Sequence, residues 1–170
     1  YGGRVSLTIG IISVGIGLLC GGSLGVLAAY YGGLAETAIM RIIDILMAIP
    51  SIILSISICA ALGSGIVNTM IAVGISSIPT YARVFRSAVI SEKSKEYIEA
   101  SKAVGAGNAR IILRHILPNS LAPVIVQASL GVAQAITTAA SLSFIGLGIQ
   151  PPNPEWGALL SGGRQYIRDY

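Results

Sequence analysis

The chain has 170 residues, of which 54% are hydrophobic and only 11% charged, and its mean hydropathy is +0.79. A soluble domain carries about 25% charged residues. This composition therefore excludes a soluble globular enzyme, and it excludes intrinsic disorder, which needs low hydrophobicity and high charge. An integral membrane protein remains. The net charge of +4 comes from eleven Lys and Arg against seven Asp and Glu. The basic residues cluster between apolar runs, a pattern that membrane topology explains and nucleic-acid binding does not. Cys20 and Cys59 lie inside apolar runs with no CxxC or Cys/His cluster, so both read as small buried hydrophobes. The chain opens at Tyr1 with no signal peptide in view. A piece of a longer membrane protein is expected.

A membrane-crossing helix needs about 20 apolar residues. The first charge-free run, Val5 to Ala35, predicts a span over 5–30. It is rich in glycine (Gly10, Gly15, Gly17, Gly21, Gly22, Gly25), read here as helix packing. Tyr30, Tyr31, Gly32 and Gly33 read as an interfacial aromatic pair and a turn. The second run, Ile45 to Ala82, is 38 residues long. As one helix it would reach about 57 Å, too far for a single crossing. Gly63-Ser64-Gly65 divides it, predicting spans over 38–62, kinked at Pro50, and over 66–81. The last run predicts a span over 123–145, after which Ser143 to Gly148 leaves the helix. Pro154-Glu155-Trp156-Gly157 reads as an interfacial loop. Long continuous apolar runs give an all-α, polytopic helical bundle rather than an alternating β-barrel.

Seven of the eleven basic residues lie between Arg83 and Arg114. By the positive-inside rule, the segment 83–119 is cytoplasmic. Gly32 to Arg41 is then inside as well, while Tyr1, Gly63 to Gly65 and Gln150 to Tyr170 are outside. Arg4, Arg164 and Arg168 fall outside, against eight basic residues inside.

Within the basic segment, Ser87 to Val104 predicts an amphipathic helix. Tyr97, Ala100, Ser101 and Val104 share one face, and Glu92, Lys95, Glu99 and Lys102 another. Lys95–Glu99 and Glu99–Lys102 stand at ion-pair spacings. Gly105-Ala106-Gly107 stops the helix, Asn108 can cap a second one over 109–116, and Pro118 ends that one. Such a hairpin either anchors on lipid headgroups or docks its small-residue face into a groove on a cytosolic partner.

Glu99-Ala100-Ser101, three residues, Gly105, nine residues and His115-Ile116-Leu117-Pro118-Asn119 resemble the EAA loop. That loop marks the membrane subunits of bacterial binding-protein-dependent ABC importers. Ser101 stands where the loop has its second Ala, and His115 at a position that is often Ile. The HILPN ending is similar to the peptide/nickel branch. So are Tyr1 to Leu7, Arg41, Asp44, Pro50, Tyr81-Ala82-Arg83, Leu142 to Gly148 and Pro154-Glu155-Trp156-Gly157. The resemblance implies that Glu99, Ala100, Ser101 and Gly105 couple to a cytosolic ATP-binding subunit, with Ala103, Val104 and Ala106 as packing neighbours. It implies a second permease subunit and an extracytoplasmic solute-binding protein as further partners. It places the chain in the bacterial inner membrane among lipid, without nucleic acid. ATP would be hydrolysed by the partner, with no cofactor on this chain. The branch usually has six spans, so one more on each side is expected.

Gln127 and Gln134 lie seven apart and share a face of the last span with Thr138. That face is the candidate translocation path; Asn68, Thr69 and Thr137 are polar within spans as well, and all six residues either line a pathway or hydrogen-bond between helices. Asp44, three residues after Arg41, reads as a local ion pair, and His115 as an interfacial side chain. No paired carboxylates, Walker A motif or nucleophile–base set occurs, so no enzyme is expected. The chain is thus expected to be a permease subunit of an ATP-driven peptide importer. A nickel or nickel-chelate importer is the alternative substrate. A secondary transporter or channel and a lipid-binding anchor are the alternatives of other classes.

Overall fold

In a computed structural model of the chain, residues 2–150 and 153–163 are described. Tyr1, Pro151, Pro152 and residues 164–170, with the predicted outside residues Arg164 and Arg168, lie beyond them. The fold is all-α, with no strand among the described residues. The helices are α1 (Gly2–Tyr31), α2 (Gly33–Met47), α3 (Ser51–Leu62), α4 (Ile66–Lys93) and α5 (Glu96–Ala103). After a turn come α6 (Asn108–Arg110), a π-helical stretch (Ile111–Ile116), α7 (Leu117–Asn119), α8 (Leu121–Phe144) and α9 (Trp156–Gly163). By length and apolarity α1 and α8 can each cross a membrane, and α2 with α3 makes a third crossing if the pair counts as one span.

The centre of the bundle is a seam between α1 and α4. Gly17, Gly21 and Gly25 recur every fourth residue and so form one stripe along α1. A Cβ on Gly21 would lie 2.4 Å from the Ile78 carbonyl oxygen, and one on Gly25 would lie 2.3 Å from that of Ala82. Only glycine allows backbone to meet backbone at this separation. Gly22 makes room for the Phe85 ring and Gly10 for Ile136 of α8. Gly15 faces open space, so the packing role predicted for it is not filled. The Ser13 hydroxyl ties the seam across, donating to the Met70 carbonyl at 3.1 Å.

Three elements depart from the sequence-based boundaries. The stretch 38–62 forms two helices that meet at 84°. Pro50 is extended (ψ 131°) and opens α3 as its cap, because it has no N–H to continue α2. Helix α4 runs through Pro79 to Lys93 instead of ending near Tyr81. Packing against α1 on both sides of Pro79 holds it together. Pro118, expected to end a helix, sits in the first turn of α7, where the missing N–H costs little. The chain from Asn108 to Phe144 is therefore helical apart from a single turn at Ser120.

The cysteines also separate. Cys59 is fully buried, as expected, but Cys20 is on the exposed side of α1. Where α8 ends, Gly146 takes φ +86°. Its N–H donates to the Ser143 carbonyl and that of Leu147 to the Leu142 carbonyl, both at 3.0 Å. Both bonds belong to a Schellman cap, which turns the chain out of the helix as the sequence predicts. Trp156 then starts α9 rather than lying in a loop. The buried Glu155 carboxylate accepts from the Gly157 and Ala158 N–H groups at 2.7 and 3.1 Å and caps the new helix.

A methyl group at Gly21 forces the two backbones apart, an overpacking cost of about 1–3 kcal/mol. Gly21→Ala is expected to lower the melting temperature of the detergent-purified protein, whereas Gly15→Ala leaves it unchanged or slightly higher. Equal melting of both variants would contradict the seam.

Candidate functional site

Two features stand out: a hairpin beyond the end of α4 and a polar cleft beside its middle. The hairpin begins where α4 stops at Ser94. The amphipathic helix predicted over 87–104 is broken here, and Lys95 is extended (φ −83°, ψ 145°) before α5 starts. A buried clasp accompanies the break. Glu92, predicted to share a charged face with Lys95, Glu99 and Lys102, is only 6% exposed. Its carboxylate pairs with the Lys95 ammonium at 2.8 Å and accepts a short hydrogen bond from the Tyr97 hydroxyl. A straight helix would not bring both partners back to Glu92. Lys95 therefore pairs backward, and neither predicted pair, Lys95–Glu99 or Glu99–Lys102, forms among the described residues.

The turn after α5 is a Schellman cap. The Ala106 N–H donates to the Ser101 carbonyl at 3.1 Å, and the Gly105 N–H to the Lys102 carbonyl at 2.9 Å. Gly105 adopts φ +82°, a conformation costly for any residue with a Cβ. Asn108 does not cap the next helix, which Gly107 precedes in an extended conformation. Instead its side-chain oxygen accepts from the Tyr30 hydroxyl at 2.8 Å.

The hairpin is fastened to the bundle along its inner face. Ile98 of α5 and Ile111 and Ile116 of the π-helical stretch are fully buried, in one apolar cluster with Tyr30 of α1 and Phe85 and Val89 of α4. The π-helical widening bonds residues five apart, which stacks Ile111 and Ile116 on the same side. Lys93 adds a polar lock. Its ammonium donates to the Tyr30 and Ala29 carbonyls at 2.6 and 3.2 Å, the otherwise unpaired end of α1.

The outer face is bare. Glu99, Ala100 and Gly105 are exposed and Ser101 is half-buried. Val104 is 84% exposed. The small-residue face picked out in the sequence thus points away from the bundle, around a well-formed turn. His115 lies near the Tyr97 ring, 6.4 Å between centroids. Sequence reasoning missed the anchors Tyr30, Lys93, Ile98 and Asn108. Only Ile98 carried a signal, being the single large aliphatic side chain in α5.

The cleft, about 250 Å³, opens between α3, α4 and α8. It brings together Gln127, Gln134 and Thr138, with Ser76, Ser77 and Tyr81 of α4 opposite. Among the described residues no charged side chain lines it. The other polar residues predicted within spans serve local structure. Asn68 donates to the Leu62 and Gly63 carbonyls, and the Thr69 and Thr137 hydroxyls bond back to their own helices.

Asp44 was expected to pair with Arg41. It pairs instead with Arg83 of α4 at 2.7 Å, and Glu36 pairs with Arg86 at 2.5 Å. The Gly32–Gly33 turn folds α2 back beside α4, which carries both arginines to its carboxylates. These two pairs clamp α2 to the lower half of α4. Among the described residues no group of His, Cys, Asp and Glu side chains is arranged to hold a metal ion.

The Glu92 clasp sets a pH window. The Lys95 ammonium and the Tyr97 hydroxyl hold the Glu92 carboxyl below its ordinary 4.5, overcoming its burial. Burial and the neighbouring carboxylate push the Tyr97 phenol from 10.0 up to about 12. The carboxylate contribution is full above pH 4.5 and fades as pH falls through the lowered value; the phenol contribution is full below pH 10 and fades towards 12. Glu92→Gln removes the ion pair at neutral pH. Amide exchange across 96–103 is expected to accelerate about tenfold, by the loss of a charge-assisted hydrogen bond. Unchanged exchange would show that the clasp does not hold α5.

Residues 21–164 match the family described as binding-protein-dependent transport system inner membrane component. The chain is 51% identical over 168 residues to the dipeptide transport system permease protein DppC of Alkalihalophilus pseudofirmus, covering 99% of this chain and 55% of that one. It is 48% identical over 163 residues to the glutathione transport system permease protein GsiD of Pectobacterium atrosepticum, covering 96% and 54%. The chain thus spans about half the length of the curated relatives it matches. Its fold resembles that of the MetNI methionine ABC transporter in inward-facing conformations, with a TM-score of 0.79 at 22% identity, over 99% of this chain and 81% of that one. A long glycine-seamed bundle, an exposed small-residue hairpin and a match over most of its length together place this chain in the family of binding-protein-dependent transport system inner membrane components.

Proposed function

We propose that the chain is part of a permease subunit of an ATP-driven importer for peptides. ATP is bound and hydrolysed on a separate cytosolic subunit. A second permease subunit completes the path, and a solute-binding protein delivers the peptide from outside. The hairpin lies on the cytoplasmic side, as the basic residues of 83–114 favour. This chain forms and breaks no covalent bond; it moves helices.

One observation carries this reading: α5 exposes its small residues outward while its inner face is locked to α1 and α4. Ala100, Ser101 and Ala103 permit close approach of a partner surface, and Glu99 supplies a carboxylate for a basic group on it. A push on α5 is carried by Ile98, the Glu92 clasp and Lys93 into α4 and α1. Hairpin, α4 and α1 then move as one body, and the cleft containing Gln127, Gln134 and Thr138 opens or closes as this body rocks. A peptide cargo is favoured over nickel because the relatives reported above carry dipeptides and glutathione in their names. The chain's membership of a binding-protein-dependent family disfavours a channel or secondary transporter.

Val104→Cys, in the assembled complex with Cys20 replaced by Ser, is expected to cross-link to the ATPase subunit. Glu99→Ala is expected to reduce peptide import severalfold at unchanged amounts of membrane protein. A folded complex that gives no cross-link, with import unaffected by Glu99→Ala, would return the hairpin to a lipid-facing loop.

A further inference from the structure

The Tyr81 side chain is 1% exposed, and its hydroxyl has no hydrogen-bond partner among the described residues. Burying a hydroxyl without a partner costs about 1–3 kcal/mol. Phenylalanine would fill the same space without that cost. The hydroxyl also demands a special neighbour. It lies so close to α8 at Gly131 that a Cβ there would come within 2.0 Å. A phenol without a partner and a glycine that admits it are a costly pair unless the hydroxyl has work in another state.

The surroundings indicate what that work is. Tyr81 forms part of the cleft wall. The hydroxyls of Ser76, Ser77 and Thr138 are already committed to carbonyls of their own helices. Among the described residues the Gln127 and Gln134 side chains make no such bond, and they flank Gly131 at i−4 and i+3 on one face of α8. The three groups face a space without charge, which suits a neutral amide better than an ion.

We propose that Tyr81, Gln127 and Gln134 form a binding subsite for a peptide backbone amide, reached when α8 moves off α4. The Tyr81 oxygen accepts the peptide N–H, and its hydroxyl donates to a glutamine side-chain oxygen. This assignment rests on the cleft being the transport path. Tyr81 is sealed behind Gly131 in the conformation seen here, so its missing partner favours opening of the cleft.

The test uses the complete importer in liposomes, with saturating loaded binding protein. Import per ATP hydrolysed is measured for dialanine and for its ester analogue, in which the amide N–H is replaced by oxygen. The wild-type importer should favour the amide. In Tyr81→Phe, that preference should fall about fivefold, the worth of one hydrogen bond, with an unchanged or higher melting temperature. A preference equal to wild type would overturn the assignment. Equal slowing of both substrates would overturn it too, since it would mark a purely structural role. If the wild-type importer hydrolyses ATP but carries neither compound, the peptide-import reading itself fails and the subsite falls with it.

Discussion

The close approach of α1 and α4 is the constraint on which the remaining structure depends. In lipid there is little hydrophobic drive to bring two helices together. Gly21 and Gly25 replace that drive with backbone contact against Ile78 and Ala82. Because the seam is so tight, α4 passes straight through Pro79 and stays helical to Lys93. The lower ends of the two helices consequently arrive together, and Lys93 reaches the open carbonyl end of α1. That junction is the platform for the hairpin.

Much of this was legible in the sequence, for identifiable reasons. A charge-free run of 31 residues leaves little besides a long helix, and α1 is one. Gly105 marked its turn because only glycine takes φ +82° without strain. Gln127, Gln134 and Thr138 were grouped by spacing alone, since a single helix fixes which side chains share a face. What failed was pairing across helices. Asp44 was matched with Arg41 because the two are neighbours in sequence, while Arg83 is 39 residues away. Glu92 was grouped with Lys95, Glu99 and Lys102 by helical periodicity, which holds only for an unbroken helix. The break at Ser94 goes together with the clasp, since Tyr97, five residues on, reaches Glu92 only once the chain has turned. Local spacing cannot reveal such a pairing.

The cleft and the hairpin answer different physical demands. The hairpin is held firmly: its inner face carries fully buried isoleucines and its turn satisfies its own backbone groups. The cleft wall, by contrast, holds a buried hydroxyl, that of Tyr81, without a hydrogen-bond partner among the described residues. Between them lies α4, which touches both. The chain spans about half the length of its relatives, and it contains the hairpin, the fastening of that hairpin to α1 and α4, and the polar cleft. A force applied at α5 need travel through only one helix to reach Tyr81.

The central claim is that the hairpin, α4 and α1 move as one body. It is tested most directly by the distance between spin labels at Val104 and Leu27 in the complete complex, recorded without nucleotide and with the ATPase dimer closed. Both positions are exposed here, so labels leave the packing intact. The expected result is a distance that stays within about 1–2 Å between the two states. A change of a helical turn, about 5 Å, would contradict the account, because the hairpin would then swing on its own hinge instead of driving the bundle.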